Sequence, residues 1–228
     1  NITTIEDPVE YRIVGANQVQ VNPKTNLTFA NGLRSILRQD PNIIFVGEIR
    51  DSETAGIAVN AALTGHLVLS TLHTNDAATA IPRLTDMKVE PFLVASTVNI
   101  IIAQRLLRKI CDSCKTTVTM TRSELEKHLP EQVIQKHLGA NPQLSFYQGK
   151  GCKVCHNTGY SGRLGIFEVL EVSKEIRKLV AEKADSDVIN AAAVSAGMNT
   201  MLDAGIDKVM KGFTSIEEVL RVTKVESL

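Results

Sequence analysis

The segment Ile43-Ile44-Phe45-Val46-Gly47-Glu48-Ile49-Arg50-Asp51 is the most informative part of the chain for its fold. Its first four residues are all apolar and mostly β-branched, which predicts a fully buried strand of a parallel sheet. Glu48 follows after one glycine, so a carboxylate lies at the carboxyl end of the strand, where open α/β sheets bind their ligands. Many buried strands also end at an acidic turn that binds nothing, so the flanking sequence has to distinguish the two interpretations.

The overall composition is typical of a soluble globular protein and gives no indication of a nucleic-acid or membrane partner. The chain has 228 residues, of which 43% are hydrophobic and 22% charged. Lys and Arg together number 25, as do Asp and Glu, so no net charge favours a nucleic-acid partner. No apolar run reaches the length of a membrane span, and no signal peptide is predicted. Because the chain opens without Met, we expect it to be a piece of a longer protein.

Strands and helices alternate through the first part of the chain. The predicted strands are residues 2–5, 18–21, 43–46 and 67–72. The last of these is again predicted to be fully buried, and Thr28 and Ser52 are predicted to cap the helices between strands. This alternation predicts βαβ units, and hence an α/β fold with a mainly parallel sheet and helices on both faces.

The pattern changes after about residue 90. Pro91 is predicted to open a long helix that ends near Ile110. Residues 111–162 are rich in Gly, Lys, Thr and Cys, which predicts irregular structure with one helical insert around residues 123–138. A strand is predicted at 164–170. Helices are predicted beyond it at 173–184, 186–196, 200–211 and from Ser215 onward.

These patterns divide the chain into three predicted segments. Residues 1–110 form the sheet and its helices, residues 111–162 form a small cysteine-containing module, and residues 163–228 form a C-terminal strand followed by a helical region.

An acidic cluster follows the first predicted strand. Glu6, Asp7 and Glu10 lie within five residues, and such carboxylates repel one another unless a cation or a proton intervenes. A solvated acidic turn is the alternative explanation.

Two histidines bracket the strand predicted at residues 67–72. His66 precedes it and His73 follows it, so the two side chains are expected near opposite ends of the strand and cannot contact the same atom. A lone histidine at a strand edge is usually structural. An acidic cluster, an acidic strand end and a histidine-flanked strand are nevertheless unlikely to occur in this order by chance.

Four cysteines form two Cys-x₂-Cys pairs, Cys111 with Cys114 and Cys152 with Cys155. Two such pairs complete a tetrahedral Cys₄ zinc site, and a site with no open position is structural rather than catalytic. Free thiols in loops are the alternative, and His128 or His156 are further potential ligands.

Several motifs together resemble those of the secretion ATPase superfamily, which drives bacterial type II secretion and type IV pilus assembly. Residues 5–11 resemble its acidic Asp box, residues 43–51 its Walker B motif and residues 64–75 its His box. Four more stretches match in family order, at residues 37–41, 91–94, 103–106 and 159–168. The resemblance implies a RecA-like C-terminal ATPase domain that works as a homo-hexamer.

The resemblance also implies roles for individual residues. Glu10 matches the glutamate that activates the attacking water, with Glu6 beside it. Glu48 matches the catalytic Walker B acid, which is oriented to Mg²⁺ and the γ-phosphate. His73 matches the histidine that faces the γ-phosphate, and His66 its more structural companion. The residues expected to bind the cofactor, ATP with Mg²⁺, are Glu48, Asp7 and Asp51.

A cationic side chain is also expected at such a site, because phosphoryl transfer depends on stabilising negative charge. The sequence does not choose among Arg12, Arg34, Arg38, Arg50, Arg83 and Arg105.

One family motif is missing. No G-x-x-x-x-G-K-[ST] loop occurs in the chain, so we expect it not to hydrolyse ATP without an upstream Walker A segment. The tetracysteine motif, by resemblance, indicates a secretion or pilus-extension ATPase rather than a retraction ATPase. The particular secretion or pilus system is not indicated.

The resemblance further implies a cytoplasmic protein at the bacterial inner membrane, associated through a membrane platform protein. Two alternatives remain at this stage. One is a non-catalytic scaffold homologue that has lost the Walker A loop. The other is a zinc-ribbon nucleic-acid-binding module, which a 4% aromatic content and zero net charge disfavour.

Overall fold

The structure is a computed structural model that describes residues 1–139 and 141–223. The chain forms two compact units. Unit 1 comprises residues 1–101 and 170–196, and unit 2 comprises residues 102–169 and the chain from Gly197 onward. Among the described residues, no helix combines the length and the apolarity needed to cross a bilayer.

The elements alternate as expected in the first part of the chain. The described strands are β1 Ile2–Glu6, β2 Ala16–Gln20, β3 Ile43–Val46, β4 Leu67–Ser70, β5 Ile100–Ile110, β6 Lys115–Thr121, β7 Gln143–Gly149 and β8 Tyr160–Glu171. The described helices are α1 Phe29–Ile36, α2 Ser52–Leu63, α3 Ala80–Asp86, α4 Pro91–Thr97, α5 Arg122–Leu125, α6 Glu131–Leu138, α7 Lys174–Ala181, α8 Ser186–Ser195, α9 Met201–Met210 and α10 Ile216–Thr223.

The sheet of unit 1 confirms the predicted fold class. It has four strands in the order β2-β1-β3-β4, and every neighbouring pair is parallel. The register pairs Ile5 of β1 with Val46 of β3, and Val46 with Ser70 of β4. The carboxyl ends of these three strands therefore meet at one edge of the sheet, as the doubly wound architecture requires.

The apolar runs predicted strands that are buried on both faces of the sheet, but the observed burial is greater on one face. In β3, Ile44 and Val46 are fully buried, whereas Ile43 and Phe45 are only partly buried. The strand predicted at residues 67–72 is present as β4, but the prediction that it is buried is wrong. Leu67 and Leu69 are 53% and 49% exposed, because β4 is an outer strand of the described sheet.

The long helix predicted from Pro91 to Ile110 is also wrong. Helix α4 ends at Thr97, and Ile100–Ile110 is strand β5. Three consecutive isoleucines open β5, and β-branched residues favour strands over helices. Exposure alternates from residue to residue through most of β5, which is the period of a strand.

Strand β6 pairs with β7 within unit 2, and β5 pairs with β8, most of whose residues also belong to unit 2. The prediction that residues 111–162 are mostly irregular missed β6 and β7, which pair antiparallel from Lys115↔Gly149 to Thr121↔Gln143. The single predicted helical insert is two helices, α5 and α6. Pro130 separates them because proline lacks the N–H that a helix interior requires. The core of unit 2 is built by apolar side chains that include Leu107, Leu125, Ile134, Phe146, Ile166, Ile206 and Val219.

A buried carboxylate that sequence reasoning missed holds α10 to β5. Glu218 accepts hydrogen bonds from the Arg108 guanidinium at 2.7 and 2.9 Å, and from Arg221 at 2.7 and 2.8 Å. Its side chain is fully buried. Burial raises the pKa of Glu218, but the hydrogen bonds from Arg221 and Arg108 outweigh burial and lower that pKa to about 2. The predicted C-terminal helices are present as α7 to α10.

Candidate functional site

Glu48 follows β3 after Gly47, at the carboxyl edge of the sheet. Its Oε2 atom is 2.5 Å from Nε of Arg50 and 3.3 Å from Nε2 of His73. The chain still runs beside β4 at this point, because the Ile49 N–H donates to the carbonyl of Thr71 at 3.1 Å. Residues two apart in an extended segment project to the same side, which explains why Arg50 reaches Glu48.

Side-chain hydrogen bonds fix the ends of β3 and β4 to each other. The hydroxyl of Ser70 donates to the carbonyl of Val46 at 2.8 Å, and that of Thr71 donates to the carbonyl of Gly47 at 2.6 Å. These bonds hold the segment that leads to His73 beside Glu48. The His73 side chain itself is 84% exposed, so it is accessible to a ligand at the sheet edge.

His66 lies at the opposite end of β4. Its Nδ1 is 2.9 Å from the carbonyl of Ala61 and 3.1 Å from the hydroxyl of Thr64. Both partners belong to the end of α2 and the turn after it. The structure therefore brings His73, and not His66, to Glu48.

The acidic cluster begins at the end of β1. Glu6 Oε1 accepts hydrogen bonds from the Thr4 hydroxyl at 2.5 Å and from Nε2 of Gln18 at 2.9 Å. Asp7 and Glu10 lie in the connection after β1 and are exposed. The cluster is thus one oriented carboxylate, Glu6, followed by two that face solvent.

Gly47 lets β1 approach β3 beside this cluster. A Cβ at Gly47 would lie 3.2 Å from both Cα of Glu6 and the carbonyl oxygen of Ile5. The close approach places Glu6 next to the residue that precedes Glu48. The carboxylates at the ends of β1 and β3 therefore occupy one short stretch of the sheet edge.

Asp51 caps α2, a role that was predicted for Ser52. Its Oδ1 accepts from the Thr54 N–H at 2.8 Å and its Oδ2 from the Thr54 hydroxyl at 3.0 Å. Capping of this kind explains the presence of an acidic residue here. A role of Asp51 in cofactor binding stays a prediction.

Among the candidate arginines, Arg50 contacts Glu48 directly. Arg34 pairs instead with Glu53 of α2 at 2.6 Å. Arg50 is therefore the candidate arginine that the described ion pairs place against Glu48.

The four cysteines form a compact cluster in unit 2. All four Sγ atoms lie within 4.8 Å of one another. Neighbouring Sγ atoms are 3.9 Å apart for Cys111 and Cys152, 3.8 Å for Cys114 and Cys155, and 3.7 Å for Cys152 and Cys155. Four sulfurs at about 2.3 Å from a tetrahedral zinc ion are about 3.8 Å apart. The cluster therefore has the dimensions of a metal centre, and neither His128 nor His156 belongs to it.

Glycines allow the two cysteine pairs to approach. A Cβ at Gly149 would lie only 2.0 Å from the carbonyl oxygen of Gly159. That same carbonyl accepts a hydrogen bond from the N–H of Cys111 at 3.0 Å. Gly159 itself has a φ of +78°, a conformation that glycine adopts readily. The local backbone thus determines the spacing of the thiols.

The electrostatics of the cluster favour a bound cation. Burial raises the pKa of Cys155, but N–H donors of Cys152 and Gly159 outweigh burial and lower it to about 6. Burial and the neighbouring thiols raise the pKa of Cys114 to about 12. Zinc binds cysteine as the thiolate, and a divalent metal at this cluster would supply the positive charge that favours the thiolate form.

The sequence did not predict the polar side chains that support the carboxyl edge of the parallel sheet. Gln18, Thr4 and Thr71 hold Glu6 and the β3 end in place. The only signal was the polar–apolar alternation of residues 18–21, which predicts a strand but does not identify a partner for each polar side chain.

A sequence profile of one protein family matches nearly the whole chain. The family is described as "Type II/IV secretion system protein", and the match covers residues 1–221.

The chain is similar to ATPases of type IV pilus assembly and type II secretion systems. It is 50% identical over 225 residues to the type IV pilus assembly ATPase PilB of Acinetobacter baylyi, which covers 98% of this chain and 38% of that protein. It is 47% identical over 224 residues to the type II secretion system ATPase E of Vibrio cholerae, which covers 98% of this chain and 43% of that protein. The chain thus spans less than half the length of these relatives.

Solved structures share the fold. The crystal structure of the pilus retraction motor PilT with bound ADP has a TM-score of 0.67 at 29% identity, over 97% of this chain and 52% of that one. The ATPase DotB of Legionella pneumophila has a TM-score of 0.64 at 23% identity, over 98% of this chain and 51% of that one. The second likeness concerns the fold alone.

Proposed function

The chain belongs to the type II/IV secretion system protein family, and from this premise we propose that it is part of an ATP-hydrolysing motor for type II secretion or type IV pilus assembly. The observation that carries the proposal is the contact of Glu48 with Arg50 and His73 at the carboxyl edge of a parallel sheet. A carboxylate and two basic side chains at this edge fit a site for a phosphate chain and its metal.

We assign roles at this edge by the chemistry of each side chain. Glu48 would hold Mg²⁺, and that ion would neutralise phosphate charge when bound. Glu10 is exposed and accepts the proton of the attacking water, while Glu6 and Asp7 shape the acidic surroundings. His73 and Arg50 donate hydrogen bonds to phosphate oxygens, and Arg50 adds the charge stabilisation that phosphoryl transfer requires. His66 supports the start of β4.

We propose that the cysteine cluster holds Zn²⁺ with a structural role. The sulfur spacing of 3.7 to 3.9 Å supports this, and four protein ligands leave no position open for a substrate. The sequence would then divide into an ATPase core segment at residues 1–110, a zinc module at 111–162 and a C-terminal region at 163–228. This is a division along the sequence, separate from the two spatial units.

Family membership supports a proposal about the assembly. We propose a homo-hexamer in the cytoplasm, attached to the bacterial inner membrane through platform and pilus or secretion proteins, with no nucleic-acid partner. The names of the PilB and type II ATPase relatives support assembly or secretion over retraction.

Residues 1–228 contain no Walker A motif. We therefore propose that they do not hydrolyse ATP alone and that the phosphate-binding loop precedes them in the full-length protein. The test compares ATP binding and hydrolysis by this chain and by one extended about 60 residues upstream in the gene, a length of the order of one or two βα units. Activity of the extended chain only is the expected result.

A different outcome would change the assignment. If neither chain binds ATP while both remain folded and metal-loaded, the protein is a non-catalytic scaffold. Salt-sensitive binding of either chain to DNA or RNA would favour the zinc-ribbon alternative.

A further inference from the structure

The connection between β1 and β2 is unusual for parallel strands. Only residues 7–15 join them, and these residues form no helix. Parallel neighbours are ordinarily joined by a dozen or more residues, most often including a helix. A short connection must return along the sheet, and its backbone groups need partners along the way.

Gln18 of β2 supplies several of those partners. Its Nε2 donates to Oε1 of Glu6 at 2.9 Å and to the carbonyl of Tyr11 at 3.0 Å, and its Oε1 accepts from the N–H of Ile13 at 2.7 Å. Both amide hydrogens and the amide oxygen are therefore engaged. The register places Gln18 opposite Thr4, whose hydroxyl donates to the same oxygen of Glu6.

Gln20 also forms a hydrogen bond with the connection between β1 and β2. It lies two residues further along β2 and so on the same face, and its Oε1 accepts from the N–H of Val9 at 3.3 Å. The two glutamines thus hold Val9 and Tyr11, the residues on either side of Glu10. Glu10 itself is exposed, so its position depends on how its neighbours are held.

We infer that Gln18 is a positioning residue for ATP hydrolysis, which orients Glu6 and fixes the backbone that carries Glu10. The inference rests on the proposed function of Glu10. Only a side chain with two donors and one acceptor makes these three bonds. Lys and Arg have no acceptor, an ionised Glu has no donor, and Asn is shorter by one methylene group.

The first test is ATP turnover by the full-length protein with Gln18→Leu or Gln18→Glu. Both should lower kcat on the order of 10- to 100-fold with little change in KM, because the loss concerns the position of a group used in the chemical step. Gln18→Glu keeps the size of the side chain and so separates hydrogen bonding from packing. The matched control is Asn17→Leu, on the opposite face of β2, which should leave kcat unchanged.

The second test is backbone hydrogen exchange over residues 9–13 in the same full-length variants. Gln18→Leu should raise exchange at Ile13 by about 10-fold or more, since its N–H loses its acceptor, whereas Asn17→Leu should not. The inference requires both effects. Wild-type turnover in Gln18→Glu, or lower turnover with unchanged exchange, would overturn it.

The two proposals fail in distinguishable ways. If the wild-type protein shows no ATP hydrolysis, the proposed function and the role of Gln18 in turnover both fall. If the wild-type protein hydrolyses ATP and the Gln18 variants do so equally well, the function stands and the inference about Gln18 is wrong.

Discussion

At the scale of single residues, Glu48 has the most constrained surroundings at the sheet edge. Its side chain is about nine-tenths buried, yet its two partners, Arg50 and His73, are mostly exposed. A buried carboxylate needs such partners, because an unpaired charge is costly to bury. Glu48 is thus held by two side chains that themselves reach into solvent at the sheet edge.

Replacing the proposed catalytic carboxylates tests the site directly. In the full-length protein, Glu48→Gln and Glu10→Gln should each lower ATP turnover by about 100-fold or more, because an amide neither binds Mg²⁺ comparably nor accepts the proton of water. Turnover measured at saturating ATP checks this. Glu53→Gln, an exposed residue paired with Arg34, is the control, and rates near wild type for Glu48→Gln would mean that the role is misassigned.

The buried carboxylate of unit 2 leads to a prediction about pH. The pKa of Glu218 is lowered from 4.5 to about 2 in the folded protein. The charged form is therefore favoured by folding, so the associated stability is present above pH 4.5 and is lost as the pH falls toward 2. A shift of this size corresponds to about 3 kcal/mol. Glu218→Gln should lower the free energy of unfolding at pH 7 by about this amount.

Urea unfolding at pH 7, 5 and 3 provides the measurement. The difference between the wild type and Glu218→Gln should shrink at pH 3. Glu217→Gln is the matched control, since Glu217 is the exposed neighbour in the same helix. A difference that stays constant with pH would show that Glu218 acts through packing and not through its charge.

At the scale of secondary-structure elements, some of the site could be predicted and some could not. The meeting of Glu48 with His73 follows from two strand ends in a parallel sheet, where carboxyl ends share an edge. The partners of Gln18 do not follow, because they depend on the path of residues 7–15, which have no periodic pattern. Strand β5 was missed because Pro91 gives a clear helix start while nothing as clear marks the end of α4.

Gly149 of β7 allows a test of how the cysteine cluster is spaced. Gly149→Ala should weaken zinc binding by about 10-fold or more, because the added Cβ would lie 2.0 Å from the carbonyl oxygen of Gly159 and force apart the backbone that spaces the thiols. Competition with a chelator measures the affinity. Gly56→Ala in α2, where nothing lies within 4 Å of the added Cβ, should leave zinc binding unchanged. Equal affinities of both variants would refute the spacing argument.

At the scale of the whole molecule, the cysteine cluster belongs to unit 2 and the parallel sheet to unit 1. The purified protein should contain about one zinc per chain. Cys111→Ser should lower this content and raise hydrogen exchange around the cysteine cluster, while β1, β3 and β4 keep their protection, because their strands pair within unit 1. Mass spectrometry of exchange in both proteins checks this. Global loss of protection would show that the metal is required by the whole fold.

The interleaving of the two units along the chain has a consequence for biosynthesis. Helix α4 packs against α7 in unit 1, and Arg177 of α7 donates hydrogen bonds to Ala95 and, at 2.9 Å, to Asn99. Residues 98–173 separate the two helices. At about 5 to 20 residues per second, translation of that interval takes on the order of 4 to 15 s. Throughout this time the nascent α4 lacks α7. Slow codons in the interval would therefore prolong the exposure to chaperones of the α4 surface that α7 covers.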